Sequence, residues 1–397
     1  MKLTACWIKF ALFVALCASF LLVNGQQLSY KKIMAEAVAQ TSLMLKKIGS
    51  ANVDHRKLVV PRTVENGRLK MIDSKDWTAG FFPGQLWFLY EATGDKFWLN
   101  KADSFTLLLE AEKFNQSTHD LGFMMYCSYG NGFRLTGNEH YKEVIIQSAK
   151  SLTTRFNKNI GCIRSWDHSG DRWQFPVIID NMMNLELLFE ATKLTGDSSF
   201  YHIAVTHANT TLKNHFRPNN SSYHVLNYDS ITGKVISKET AQGYANESAW
   251  ARGQAWGLYG FAMCYRETKD PVYLKKADSI AAFIMRQPNL PADGVPYWDY
   301  NDPAIPNAPR DASAAAVMCS ALFELSAYSQ QGKLYRAFAK KILNSLSNNY
   351  RSPFGENEGF ILLHSTGHLP AKSEIDVPIN YADYYFLEAW RRSQAKK

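Results

Sequence analysis

No two cysteines in this 397-residue chain form a C-x-x-C pair. Cys6 and Cys17 lie in the N-terminal apolar run, and Cys127, Cys162, Cys264 and Cys319 are scattered. That spacing excludes the usual zinc frameworks. The apolar, helix-like flanks of the four make buried free thiols at least as plausible as disulfides. The chain has no G-x-S-x-G elbow, no phosphate loop and no H-E-x-x-H, which removes serine hydrolase, nucleotide-dependent and zinc-peptidase chemistries. His364 and His368 are four apart, but Gly and Pro neighbours argue against a metal-binding helix. Neither a metal nor a cofactor is expected. There is no long basic run, so the formal charge of +8 does not argue for nucleic acid. It suits a small anionic partner. No Pro/Gly/Ser-rich linker marks a second domain.

The one long apolar run is Phe10 to Val23, behind Lys2 and Lys9 and ahead of Asn24-Gly25. It reads as a signal peptide over residues 1–25, leaving a single unit over 26–397. The mature protein is then exported, periplasmic or secreted, with no membrane association after processing.

Hydrophobic residues make up 46% and aromatics 13%, with ten tryptophans. Flat apolar faces of this kind serve sugar clefts, and large helical cores use them too. The apolar residues recur at helical spacing on both sides of polar turns: Gly94-Asp95, Gly137-Asn138, Gly196-Asp197, Lys269-Asp270 and Gln331-Gly332. Gly stops one helix and Asp or Asn starts the next. The first three turn glycines stand 43 and 59 residues apart, less regular than a linear solenoid. With an early helix (Tyr30 to Lys47) and a late one (Tyr381 to Arg391), this predicts six helical hairpins closed into an all-α (α/α)6 barrel. A small β-hairpin is expected in the loops, around Thr232-Gly233.

Two aspartates stand at the starts of predicted helices. Asp120 follows Ser117-Thr118-His119, and Asp180 follows Val177-Ile178-Ile179. Both positions also suit a plain helix cap. The apolar flank of Asp180 favours a raised pKa, as a general acid at neutral pH requires. Arg252 and Trp256 are four apart on one helix face. The guanidinium could hold a carboxylate and the indole stack on a sugar; a structural pairing of Arg252 with Glu247 fits equally. His224 and Gln242 flank the expected hairpin and read singly as surface residues, and Trp77 and Trp166 as core.

Taken in order, the segments resemble the unsaturated glucuronyl hydrolases, glycoside hydrolase family 88. The likeness rests on Trp77 to Trp87, His119 to Phe123, Ile178 to Leu185, Glu247 to Gly257 and Arg310 to Ala315, and spans essentially the whole mature chain. The resemblance implies an (α/α)6 barrel and hydrolysis of oligosaccharides that carry a 4,5-unsaturated uronate. It implies Asp180 as general acid/base and Asp120 as its essential partner. It places Trp77, His119, Trp166, His224, Gln242, Arg252 and Trp256 around the substrate, with Trp173 competing for the place of Trp166. Lys234, Lys238 and Arg310 are candidate sulfate contacts. Three alternatives stay open: the related unsaturated rhamnogalacturonyl hydrolases, a non-catalytic sugar binder of this fold, and an inverting glycosidase using Glu247.

Overall fold

The computed structural model describes residues 29–168 and 170–395. The expected signal peptide over 1–25 lies outside the described residues. Twelve α-helices are named here: α1 (Tyr30–Ser50), α2 (Phe81–Thr93), α3 (Lys96–Leu107), α4 (Asn131–Thr136), α5 (Glu139–Thr153), α6 (Asn181–Thr195), α7 (Ser198–Asn214), α8 (Ala251–Thr268), α9 (Pro271–Met285), α10 (Ala312–Leu325), α11 (Gly332–Asn349) and α12 (Asn380–Ser393). A π-helical stretch, Gly122–Gly130, runs into α4.

The ring closes through neighbours. α2 packs on the π-helical stretch, which packs on α6; then α8, α10 and α12 follow, and α12 returns to α2. This inner ring is wrapped by α3, α5, α7, α9 and α11, each the second arm of a hairpin. α1 completes the outer layer over α12, with Tyr30 against Trp390 at 6.4 Å. The burial pattern separates the layers. Thirteen of the 14 residues of α10 are buried, because an inner helix faces neighbours all round. α11 buries Tyr335, Ala339, Ile342, Leu343 and Leu346, a single stripe at helical spacing.

Turn chemistry explains the hairpins. Gly94, Gly137 and Gly196 sit in the left-handed region at φ +69°, +66° and +75°, where a Cβ would be strained. Asp95, Asn138 and Asp197 then cap the following helices by accepting from Phe97, His140 and Ser199 N–H. At the fourth turn Lys269 takes the left-handed position at φ +60°, and Asp270 with Pro271 starts α9. The fifth turn departs from the expected pattern. Gly332 opens α11 rather than closing α10, and a Cβ there would lie 2.2 Å from the Ser326 carbonyl oxygen.

Two pieces of β-structure exceed the single expected hairpin. β1 (Val60–Glu65) and β2 (Arg68–Ile72) pair around Asn66-Gly67, both at positive φ, as a tight hairpin turn requires. Two-residue strands β3 (Phe156–Asn157) and β4 (Cys162–Ile163) form a short ladder. The expected hairpin, β6 (Val225–Tyr228) with β7 (Val235–Glu239), gains a third strand, β5 (Pro176–Ile178). β5 pairs Val177 with Leu226 and Ile178 with Val225. This ladder fixes the chain immediately ahead of Asp180. Cys127, Cys162, Cys264 and Cys319 are buried free thiols.

Candidate active site

Because every hairpin returns the chain, the inner helices run the same way and their N-termini share one mouth. Trp77 lies just ahead of α2, Asp120 ahead of the π-helical stretch, and Asp180 ahead of α6. Arg252 sits in the first turn of α8, Asp311 caps α10, and Tyr381 begins α12. A cleft of about 480 Å³ opens here. Converging helix N-termini favour negative charge at this end.

Neither aspartate spends its carboxylate on a cap. Asp180 precedes α6 without a side-chain bond to the helix, and its Oδ2 is buried with no hydrogen-bond partner. The Thr118 hydroxyl donates to Asp120 Oδ2 at 2.9 Å. Burial is the main force on both. It pushes Asp120 up to about 7, opposed by the Thr118 bond and reinforced by the charge of Asp76. It pushes Asp180 up to about 7 as well, with Arg252 drawing it down and Asp120 adding to the rise. At these values either carboxyl can hold a proton near neutrality.

His119 and His224 beside them are neutral. Burial and the charge of Arg155 lower His119 to about 3, with its Nε2 3.4 Å from Asp120 Oδ1. Burial above all holds His224 well below its usual range. Its tautomer follows from its partners: Nδ1 accepts the Ala241 and Gln242 N–H groups at 3.0 and 3.1 Å. The ring proton is therefore on Nε2, which faces Asp180 Oδ2 at 3.7 Å. β6 and the 239–242 segment thus aim a neutral donor at Asp180.

Six of the nine residues expected around substrate line the cleft: Trp77, His119, Asp120, Trp166, Asp180 and Gln242. His224, Arg252 and Trp256 stand behind this wall, at 3%, 1% and 0% exposure. Trp256 presents no open face for a sugar. It packs on Phe123 at 5.2 Å and Tyr385 at 5.5 Å, and its indole N–H lowers Asp180 without closing a hydrogen bond. Arg252 is not paired with Glu247. It binds Asp311 at 2.6 Å and the carbonyls of Thr366 and Gly367, whereas Glu247 is largely exposed and pairs with Arg217 at 3.1 Å.

Trp166 and Trp173 do not exclude each other. Their rings lie 5.4 Å apart and both reach the cleft. His168, Arg172 and His368 also line it; spacing carried no signal for the first two and paired His368 only with His364. His368 approaches from the loop before α12, with Nε2 3.0 Å from the Ala241 carbonyl. Arg172 lies over Trp173 at 4.3 Å and donates to Glu239 at 2.8 Å. It is the one arginine or lysine among the cleft's described lining residues. The three expected sulfate contacts are not on this wall. Arg310 grips both oxygens of Asp293 at 2.6 Å, Lys238 donates to the Asn214 carbonyl at 2.8 Å, and Lys234 is exposed beside the β6–β7 turn.

A smaller cavity of about 230 Å³ lies toward the other end of the barrel, among Arg266, Glu186, Arg392 and Glu388. Its charges neutralise one another, with Arg266 and Arg392 both on Glu324 at 2.9 and 2.7 Å. The carboxyl pair and the tryptophans are in the first cleft.

Residues 51–385 match the family described as Glycosyl Hydrolase Family 88. An unsaturated glucuronyl hydrolase of Formosa agariphila is 53% identical over 349 residues, covering 87% of this chain and 86% of that protein. A solved unsaturated glucuronyl hydrolase specific for heparin superposes with a TM-score of 0.87 at 49% identity, over 92% of this chain and 96% of that one. The unsaturated glucuronyl hydrolase of Bacillus sp. GL1, responsible for the degradation of glycosaminoglycan, gives 0.83 at 28% identity, over 92% and 97%. With a helical ring, a carboxyl pair at its mouth and these relatives along its length, the chain belongs to glycoside hydrolase family 88.

Proposed function

We propose that this protein removes the 4,5-unsaturated uronic acid from the non-reducing end of glycosaminoglycan-type oligosaccharides, the fragments that polysaccharide lyases leave. The observation that carries this reading is the pair of buried carboxyls, Asp120 and Asp180, both raised to about 7 in one tryptophan-walled cleft. An acid that must give and retake a proton near neutrality needs such a value.

The substrate's C4=C5 bond is an enol ether. Asp180 donates its proton to C4, and the cation at C5 is stabilised by the ring oxygen. Water adds at C5 while the Asp180 carboxylate takes its proton, so the acid is restored. The resulting hemiketal opens, and the glycosidic link is lost with it. His224 supports the ionised Asp180 with its Nε2 proton. Asp120 orients substrate or water and raises Asp180 through its charge. Trp77 and Trp166 offer faces for the sugar rings. His119 and Gln242 supply polar contacts at the cleft wall. Arg252 acts from behind it.

Residues 1–25 direct export in this reading, and the rest works as one catalytic unit outside the cytoplasm. No helix among the described residues is long and apolar enough to cross a membrane. The test is to supply unsaturated disaccharides from several lyases and follow the absorbance of the conjugated bond. Loss of absorbance supports the reading. Retained absorbance on every disaccharide, beside a working control enzyme, overturns it and leaves the sugar-binding alternative. Turnover of saturated substrates instead would favour the inverting glycosidase.

A further inference from the structure

Two asparagines in the first turn of α6, Asn181 and Asn184, are fully buried beside the carboxyl pair. Their amide orientations follow from backbone partners. Asn184 Oδ1 accepts the Phe123 N–H at 2.9 Å, so its Nδ2 is the free end. Asn181 Nδ2 donates to the Ile163 carbonyl at 2.8 Å, so its Oδ1 is free. Asn181 Oδ1, Asn184 Nδ2 and both ring nitrogens of His119 are buried without closed hydrogen bonds. Groups left this way in a core are costly unless something uses them.

We infer that Asn181 and Asn184 are positioning residues, Asn184 holding Asp120 through its amide N–H and Asn181 holding His119 through its amide oxygen. The reacting pair would then be aligned from α6 itself, the helix that Asp180 opens. Backbone fit supports this. A Cβ on Gly122 would lie 2.5 Å from Asn184 Cα and 2.7 Å from its Oδ1, so only glycine lets the segment after Asp120 sit this close to α6. The electrostatics agree: Asn184 draws Asp120 down against burial, and Asn181 raises His119 against burial. Contacts of this kind around reacting groups tighten when substrate settles.

The inference rests on the hydration reading for its purpose, but one readout needs no turnover. Asn184→Leu keeps the volume and adds no charge; it removes the donor and also the acceptor of the Phe123 N–H, a bond that Asn181→Leu leaves in place. Asp76, Arg155, His119 and Asp180, which also face Asp120, are unchanged. The Asp120 carboxyl, followed by carbon-13 NMR titration, is expected to move up by about one pH unit. With unsaturated disaccharide, kcat falls about tenfold with KM within about twofold, since the amide acts through Asp120 rather than on substrate. Asn181→Leu lowers kcat by a similar factor without moving the Asp120 titration. A folded Asn184→Leu with unmoved Asp120 overturns the role of Asn184, whether or not the protein hydrates sugar. If the leucine variant does not fold, Asn184→Ala is read the same way. Undiminished kcat in Asn181→Leu overturns the other half. Wild-type protein inert on every disaccharide would instead count against the hydration reading.

Discussion

Asp311 joins fold and chemistry, and two substitutions separate its tasks. Its Oδ1 caps α10, accepting the Ser313 and Ala314 N–H groups at 3.0 and 3.2 Å. Its Oδ2 holds Arg252 at 2.6 Å, with the two side chains 0% and 1% exposed. Asp311→Asn keeps a capping oxygen but leaves the Arg252 charge buried and uncompensated, a loss of about 3–5 kcal/mol. Asp311→Ala also removes the cap, adding about 1 kcal/mol. Against a total stability of about 5–15 kcal/mol, both variants are marginal and the alanine one is the worse. Arg252 already draws Asp180 down. Without Asp311 its field is stronger, so the Asp180 pKa falls and the alkaline limb of kcat/KM moves to lower pH. Urea unfolding and a pH-rate profile read the two effects. Asparagine and alanine variants as stable as wild type would refute the buried-pair argument. An alkaline limb moved upward would refute the electrostatic link to Asp180.

The contribution of three buried carboxyls to stability should fall as pH rises. Asp120, Asp180 and Asp383 are all raised from 3.8 to about 7 by burial, so the folded state binds protons more tightly than the unfolded one. Their contribution is fully present below about 4 and is lost as pH rises through about 7. Asp180→Asn should therefore raise the thermal midpoint more at pH 8 than at pH 4; an equal change at both would contradict the assignment. Trp166→Ala removes a half-buried ring on the cleft wall and should raise KM by roughly three- to tenfold with kcat little changed. A change confined to kcat would place Trp166 elsewhere in the reaction.

The hairpins were readable because each is written locally. Gly94-Asp95 and Gly196-Asp197 carry both the left-handed residue and the cap. The β1–β2 turn is equally local, since Asn66-Gly67 is a strong hairpin signal. The two aspartates could be found but not interpreted, since a cap and an acid look alike in sequence. Only the ring, which turns six N-termini toward one mouth, decides what surrounds them. The partner of Arg252 was illegible for the same reason. Glu247 is near in sequence, but Asp311 is near in space because α8 and α10 are neighbours in the inner layer. Arg310, Lys238 and Lys234 looked available as charges. Counting charges does not reveal that Asp293 and the Asn214 carbonyl already hold the first two. His368 reaches the cleft across a long loop, and no periodicity predicts that closure.

The central claim is that the double bond, rather than the anomeric carbon, is attacked. Turnover of an unsaturated disaccharide in deuterium oxide, with products analysed by NMR and mass spectrometry, tests it most directly. At early times wild-type protein should place deuterium on one face of C4, with no free unsaturated uronate appearing first, and Asp180→Asn should leave the double bond intact. Release of free unsaturated uronate, with deuterium reaching both faces of C4 only as its enol ketonises in solution, would contradict the account.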